Sequence, residues 1–171
     1  EEEPMFGAIA MPRIVGYNKD GIPQLEWDLV YGGGGLGAYI NGKILPLARD
    51  REIKFSDALI NTDFTYRGEP EPVKNWARRV FVDLQKEAKV VHVKGSAVRE
   101  MVDVALGQYS GYVHVLDKPW DVTAASSILR ELGYEVTNWR GEPWKIPQKT
   151  TVVGYGDVHS GLLDVARRNI P

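Results

Sequence analysis

The stretch that most constrains this chain runs from Asp117 to Leu129, DKPWDVTAASSIL. A strand pattern precedes it, Pro119 stiffens the turn, and an apolar periodicity typical of a helix follows. Asp121 stands at the junction, where its carboxylate can cap the helix by accepting the free amides of the first turn. A carboxylate beside the positive end of a helix can also help to hold a phosphate or a metal–phosphate pair. The residues alone leave both interpretations open. The next side chains are small and predict close packing on another backbone: Ala124, Ala125, Ser126 and Ser127.

The first part of the chain, residues 5–48, has the pattern of β structure. The apolar run Phe6–Met11 predicts a strand that stops at Pro12. Two further strands, Ile14–Tyr17 and Gln24–Tyr31, are predicted on either side of a turn.

From residue 49 onward, predicted helices alternate with predicted strands. Val73, Trp76, Val80 and Leu84 recur at helical spacing, an apolar stripe typical of core packing. Strands that alternate with helices predict a layered α/β domain. We therefore predict antiparallel strands in residues 1–48 and an αβα domain in residues 49–171.

Four consecutive glycines occupy Gly32–Gly35, and Gly37 follows. They suggest a phosphate-binding loop, but the order Gly-x-Gly-x-x-Gly at the start of a helix is not followed. Asn41-Gly42 instead favours a hairpin. The segment is predicted to be a glycine-rich turn between antiparallel strands.

Composition limits the classes of function. The formal charge of −2 gives no basic footprint for nucleic acid, and the chain has no cysteine for a disulfide, a thiolate nucleophile or a zinc site. A cytoplasmic protein fits this composition. The sequence contains no run of about 18 apolar residues, so no transmembrane helix is predicted. Glu1–Pro4 has no basic region followed by an apolar stretch, so it is not predicted to begin a signal peptide. The chain starts without Met, so we expect a processed product or a piece of a longer protein.

Other catalytic motifs are missing from the sequence. His92 and His114 lie in predicted strands without the spacing of a zinc motif. No Gly-x-Ser-x-Gly elbow and no Gly-x-x-x-x-Gly-Lys-[Ser/Thr] loop occurs.

Several segments resemble the inositol monophosphatase family and follow its order. Trp120–Ala125, running into a helix that ends at Glu131–Gly133, is similar to the family's C-terminal signature, and Gly141–Trp144 is similar to the turn that continues it. Thr123 and Tyr134 depart from the usual small residues. The resemblance implies an incomplete layered α/β sandwich of the inositol monophosphatase or sugar phosphatase type, of which this chain carries the C-terminal half.

The resemblance also implies roles for individual residues. Asp121 matches the family's metal-binding aspartate, for which the metal is Mg²⁺. Gly95, Ser96 and Ala97 match a helix start that lies beside the substrate, although Ser96 alone could be a simple cap. His114 occupies the position, seven residues before Asp121, at which the family often places a glutamate that bonds a substrate hydroxyl. His114 either takes over that contact or only packs.

By the same resemblance, the expected chemistry is hydrolysis of a phosphate monoester by a metal-activated water. The family's other metal ligands and its catalytic groups are expected before Met5, so this chain alone is expected to be inactive and to bind Mg²⁺ weakly. Inositol phosphates, fructose bisphosphate, histidinol phosphate and phosphoadenosine phosphate all remain open as substrates, and a homodimer is possible. The alternative is a non-catalytic binding or assembly module on the same scaffold.

Overall fold

A computed structural model describes residues 5–63 and 69–170. The stretch Glu1–Pro4, which the sequence analysis compared with a signal peptide, lies outside the described residues. Four antiparallel strands follow one another in the order of the chain and form the first sheet: β1 (Phe6–Tyr17), β2 (Pro23–Gly33), β3 (Ala38–Ile40) and β4 (Lys43–Ile44).

Strand β1 continues through Pro12, so the prediction that the strand stops there is wrong. Pro12 lies opposite Trp27 of β2, and β1 forms one edge of the sheet in the described part of the chain. An edge strand is paired on one side only, which is where a residue without an N–H is tolerated. Gly7, Ile9 and Met11 alternate with exposed residues and turn toward the interior.

The second sheet has five strands: β5 (Leu59–Thr62), β6 (Val90–His92), β7 (Gly111–His114), β8 (Glu135–Thr137) and β9 (Thr151–Gly154). Their order across the sheet is β6-β5-β7-β9-β8. β5 runs parallel to β6 and β7, and β9 runs antiparallel to β7 and β8. The carboxyl ends of β5 and β7 therefore lie side by side at one edge of the sheet.

The described residues also form four α-helices: α1 (Glu71–Glu87), α2 (Ala97–Ala105), α3 (Pro119–Glu131) and α4 (Asp157–Arg168). One apolar cluster joins α2 and α3 to the first sheet and to the second, with Met101, Leu129 and Trp144 buried in it. A second cluster joins α1 and α4 to the second sheet around Trp76 and Leu162. The predicted layered α/β fold is confirmed, and the division at residue 48 stays a prediction.

The glycine-rich segment forms the turn between β2 and β3, as predicted. Gly34 and Gly35 adopt positive φ angles of 67° and 76°, where a side chain would be strained. The carboxylate of Glu131, at the end of α3, accepts hydrogen bonds from the amides of Gly35 at 3.1 Å and Gly37 at 2.7 Å. The turn is thus tied to the end of α3, and the amides of Gly35 and Gly37 are already used by Glu131.

None of the helices within residues 5–63 and 69–170 combines the length and the apolar character needed to cross a bilayer.

Candidate active-site pocket

A cavity of about 150 Å³ lies where β5 and β7 end and where α2 and α3 begin. Its wall includes every site residue that the sequence analysis nominated, namely Gly95, Ser96, Ala97, His114 and Asp121. Residues more than twenty positions apart in the chain therefore meet at one place. The cause is topological, because β5, β6 and β7 run parallel and place their carboxyl ends at one edge of the sheet. β6 leads into α2 and β7 leads into α3 at this edge.

Asp121 does not cap helix α3, so the capping prediction is wrong. The helix begins at Pro119 with Lys118 in the cap position and no side-chain cap hydrogen bond. Proline favours the first helical position because its φ is already set and its missing N–H is not needed there. Asp121 lies two residues further on, and its amide donates to the Lys118 carbonyl at 2.9 Å. Its carboxylate is half-buried and lines the cavity.

The start of α2 forms another part of the cavity wall. Gly95 turns the chain with a φ of 76°, and Ser96 caps the helix by accepting the Arg99 amide on its Oγ at 3.4 Å. The predicted cap is confirmed, and the Ser96 hydroxyl keeps its proton for donation. The first amides of a helix have no partner within it and carry the positive end of its dipole. This wall can therefore hold oxyanions.

A buried carboxyl group, that of Glu100, holds the turn before α2 by a hydrogen bond. Glu100 is fully buried on α2, and its Oε1 accepts the Lys94 amide at 2.6 Å. Burial raises the pKa of Glu100 to about 7 and the charge of Asp63 adds to this, whereas the Lys94 and Gly95 amides oppose it. Glu100 thereby anchors the turn that carries Gly95.

His114 ends strand β7 and is only 4% exposed. Its Nδ1 lies 2.8 Å from Oδ1 of Asp117, and the same oxygen accepts the hydroxyl of Tyr112 at 2.8 Å. Burial by itself would lower the pKa of His114, but the hydrogen bond to Asp117 and the charges of Asp117, Asp63 and Glu100 outweigh it and raise the pKa. Tyr112 has a pKa well above its usual value because it is buried against the same carboxylate.

The sequence analysis missed three acidic residues at or below the pocket. Asp63 directly follows β5, and Asp117 lies in the loop after β7. For both residues, the sequence signal that could have found them is an aspartate placed just after a predicted strand. Glu100 is buried on α2 beside the apolar residues Met101 and Val102. Its sequence signal is an acidic residue next to the apolar stripe of a predicted helix. A buried carboxyl group needs hydrogen-bond partners, and these become visible only in the folded chain.

Carboxylate oxygens are the ligands that Mg²⁺ prefers, and Asp121 offers one to the cavity. Mg²⁺ requires near-octahedral coordination by several oxygens. Within residues 5–63 and 69–170, no three His, Cys, Asp or Glu side chains come together as a metal site. Asp121 fits as one ligand of a divalent ion, and the described residues do not form a complete site.

A second cavity, of about 220 Å³, lies elsewhere and is lined by Arg51, Tyr109, Tyr134 and Tyr155 among others. None of the nominated residues reaches it. Its lining, within the part of the chain that the structure describes, contains no carboxylate that could bind a metal. The smaller cavity is the candidate site because the nominated residues line it together.

Comparison with known proteins agrees with this geometry. The family model for inositol monophosphatases matches residues 1–170. Fructose-1,6-bisphosphatase/inositol-1-monophosphatase of Aquifex aeolicus is 29% identical over 98% of this chain and 56% of its own length. Inositol-1-monophosphatase of Bacillus subtilis is 27% identical over 80% of this chain and 50% of its own length.

A solved structure of inositol monophosphatase from Anabaena (Nostoc) sp. PCC 7120 superposes with a TM-score of 0.73 at 30% identity, covering 89% of this chain and 61% of that one. The layered fold is thus that of a phosphatase-like α/β protein. The chain belongs to the inositol monophosphatase family. It spans about half the length of the curated relatives that it matches.

Proposed function

We propose that this chain is the C-terminal part of a Mg²⁺-dependent phosphate monoester hydrolase that acts on inositol phosphate or a related sugar or nucleotide phosphate. The observation that carries the proposal is the shared cavity, which both Asp121 and the start of α2 line. The first suits a cation and the second suits an oxyanion. A phosphate ester bound with a divalent ion requires both.

On the cation side, Asp121 is the residue of this chain that would hold Mg²⁺. Its half-buried carboxylate is not used in capping α3, so its oxygens can face the cavity. A bound Mg²⁺ supplies a coordinated water of lowered pKa and offsets negative charge on the phosphate oxygens.

On the anion side, the Ser96 hydroxyl and the first amides of α2 would hold phosphate or hydroxyl oxygens. Gly95 brings this wall close to the ligand because it has no side chain at the turn, and Ala97 begins the helix itself. Lys118, also in the cavity wall, adds a positive charge. His114 would hydrogen-bond a further group of the substrate from the end of β7.

We assign the activation of the attacking water to a part of the protein outside this chain. The support is the length relation, since the curated relatives are about twice as long as the segment they share with it. A cytoplasmic location and a homodimer remain expectations from composition and family resemblance.

The test is release of phosphate by the full-length protein from inositol 1-phosphate, fructose 1,6-bisphosphate, histidinol phosphate and adenosine 3′,5′-bisphosphate, with Mg²⁺ or with EDTA. We expect hydrolysis of at least one ester that depends on Mg²⁺. Asp121→Asn should lower kcat/KM by about 100-fold or more, because loss of a metal ligand's supporting partner alone costs about 10- to 100-fold and loss of the ligand itself costs more.

The matched control is Asp164→Asn, which removes the same charge from an exposed position on α4 and should leave kcat/KM unchanged. Undiminished activity in EDTA, or in Asp121→Asn, would contradict the proposal. If the full-length protein binds these esters and hydrolyses none, it is a binding module.

A further inference from the structure

The cavity of about 220 Å³ lies at the opposite edge of the five-stranded sheet from the candidate active site. Ser110 precedes β7, Tyr134 precedes β8 and Tyr155 follows β9, and all three line this cavity. Because β9 runs antiparallel to β7 and β8, these three strand ends meet at one edge. Among the described residues, the linings of the two cavities have no member in common.

Arg51 brings a positive charge into the wall of this cavity. It is half-buried, and its Nη1 donates to the Ala105 carbonyl at 3.2 Å. A side chain at Gly107 would clash with the guanidinium, which occupies the room that the glycine leaves. Within residues 5–63 and 69–170, Arg51 forms no ion pair with a carboxylate, whereas Arg49 on the same short 3₁₀ helix pairs with Asp50 at 3.9 Å. A guanidinium has five N–H groups, so this one keeps donors for another partner.

Two hydroxyl groups of the lining are also able to donate. Ser110 accepts the Leu59 amide on its Oγ at 3.1 Å, so its own proton remains for a further bond. The Tyr155 hydroxyl forms no hydrogen bond with another residue that the structure describes. Tyr134, by contrast, donates its hydroxyl to the Val104 carbonyl at 3.2 Å. The lining thus combines a guanidinium with two hydroxyl donors.

The rest of the lining is apolar or aromatic. Ile53 and Val158 contribute aliphatic surface, and Tyr109 contributes a ring. The hydroxyl of Tyr109 forms a hydrogen bond with Nδ1 of His92, and Nζ of Lys94 lies 4.2 Å from the centre of the same ring. These contacts hold the ring in place. Small-molecule sites typically combine such a surface with a few polar groups.

Two acidic residues adjoin this lining in the chain without belonging to it. Glu52 and Asp157 line a separate depression together with Lys54. There the Oδ2 of Asp157 accepts the Phe55 amide at 2.8 Å. An oxyanion in the cavity therefore meets a cation and neutral donors, and no carboxylate of the described lining opposes it.

We propose that this cavity binds a small organic oxyanion, a carboxylate or a phosphate carried on an apolar ring. The guanidinium of Arg51 binds the anionic end, together with the hydroxyls of Ser110 and Tyr155. The ring packs on Ile53 and Val158. The fork of an arginine matches two oxygens of a carboxylate or a phosphate. This site is separate from the one assigned to the phosphate ester, and the inference does not depend on the proposed hydrolysis.

The test uses three probes built on one benzene ring: benzoate, phenylphosphonate, which has no ester bond to hydrolyse, and benzamide as the neutral control. Binding to the full-length protein is followed without metal by NMR shifts of the backbone amides. We expect at least one oxyanion to bind about tenfold more tightly than benzamide, and the tighter of the two identifies the anionic group. The shifts should include Gly107, Ser110 and Tyr155, whereas shifts at Gly95 and Ser96 report the phosphate-ester site separately.

Arg51→Gln should weaken binding of the preferred oxyanion by about tenfold and remove its advantage over benzamide. The matched control is Arg49→Gln, at an exposed position of the same 3₁₀ helix, which should bind all three probes as the wild type does. Tyr155→Phe removes one hydroxyl and keeps the ring, so it should weaken binding of the oxyanion by about threefold.

Urea unfolding shows whether each variant is folded, and Tyr155→Phe carries the test if Arg51→Gln is not. Equal affinity of the wild type for the three probes, or no binding of either oxyanion, would overturn the inference. Binding without shifts at Gly107 and Tyr155 would also overturn it, as would undiminished binding in a folded Arg51→Gln protein.

Discussion

A side-chain carbon at Gly7 of strand β1 would lie 2.0 Å from the carbonyl oxygen of Ala124 on helix α3. Backbone therefore meets backbone where the first sheet crosses the helix that begins at the pocket. The small residues after Asp121 predict this close packing, and the contact confirms it. The crossing fixes the position of α3, and with it one wall of the cavity.

Gly7→Ala should destabilise the full-length protein by about 3 kcal/mol or more, because the clash is with backbone atoms that cannot rotate away. Urea unfolding measures the effect. Gly16→Ala is the matched control on the same strand, where the added carbon would meet only the flexible Gln24 side chain at 3.4 Å. It should change the free energy of unfolding by less than about 1 kcal/mol. Equal effects of the two substitutions would contradict the role of the crossing.

Glu131→Ala should loosen the glycine-rich turn. The substitution removes the acceptor of the Gly35 and Gly37 amides, and the half-exposed position limits the cost to about 1 kcal/mol. Hydrogen exchange of those two amides should speed up, whereas exchange in β7 should not change. Glu52→Ala, at an exposed position, is the control. Unaltered exchange at Gly35 and Gly37 would show that the turn is held by other contacts.

Glu100 should make the stability of the fold depend on pH. Its pKa of about 7 in the folded chain is raised from an ordinary value of 4.5, chiefly by burial. The folded state therefore holds a proton that the unfolded state releases, so its contribution is fully present below pH 4.5 and is lost as pH rises through 7. The difference amounts to about 3 kcal/mol.

Glu100→Gln removes this titration and keeps an oxygen that can accept the Lys94 amide. The free energy of unfolding, measured by urea titration between pH 4.5 and 7.5, should fall more steeply in the wild type than in Glu100→Gln. Parallel curves for the two proteins would show that Glu100 titrates alike in the folded and unfolded states.

The chain of residues 1–171 expressed alone should hydrolyse no phosphate ester at an enzyme-like rate and should bind Mg²⁺ weakly. No three carboxylate or histidine side chains come together as a metal site within residues 5–63 and 69–170, so a bound Mg²⁺ would take most of its octahedral shell from water. Phosphate release and Mg²⁺ calorimetry are compared with those of the full-length protein. Turnover by the chain alone that matches the full-length protein would contradict the proposal that the remaining ligands lie outside it.

The meeting of Asp121 with Gly95–Ala97 could be predicted through the resemblance to the inositol monophosphatase family, which implies that both serve one site. Local patterns indicated only that each lies near a helix start. The helix start itself was misplaced, since Pro119 competes with Asp121 for the first turn and a proline at the first helical position prevails. Strand β1 likewise continues past Pro12 because β1 lies at the edge of the sheet, where a residue without a backbone N–H is tolerated. The edge position is a property of the folded sheet, and the local sequence does not show it.

The buried acids could not be predicted from local patterns. Glu100 and Asp117 are held in the interior by partners on the neighbouring segments of the chain, the Lys94 amide at 2.6 Å and the Tyr112 hydroxyl at 2.8 Å. Such partners depend on which atoms face each other after packing. Sequence periodicity places a residue on a face of an element, but it does not place the donor that a carboxylate needs.

Helix α3 carries Asp121 in its first turn and Glu131 in its last. Thirteen residues of α-helix form a stiff rod about 20 Å long. We therefore expect that a displacement of the β2–β3 turn, which Glu131 binds, tilts α3 about its contact with Gly7 and shifts the Asp121 carboxylate at the other end of the helix. The position of the Asp121 carboxylate in the cavity thus depends on the conformation of the glycine-rich turn.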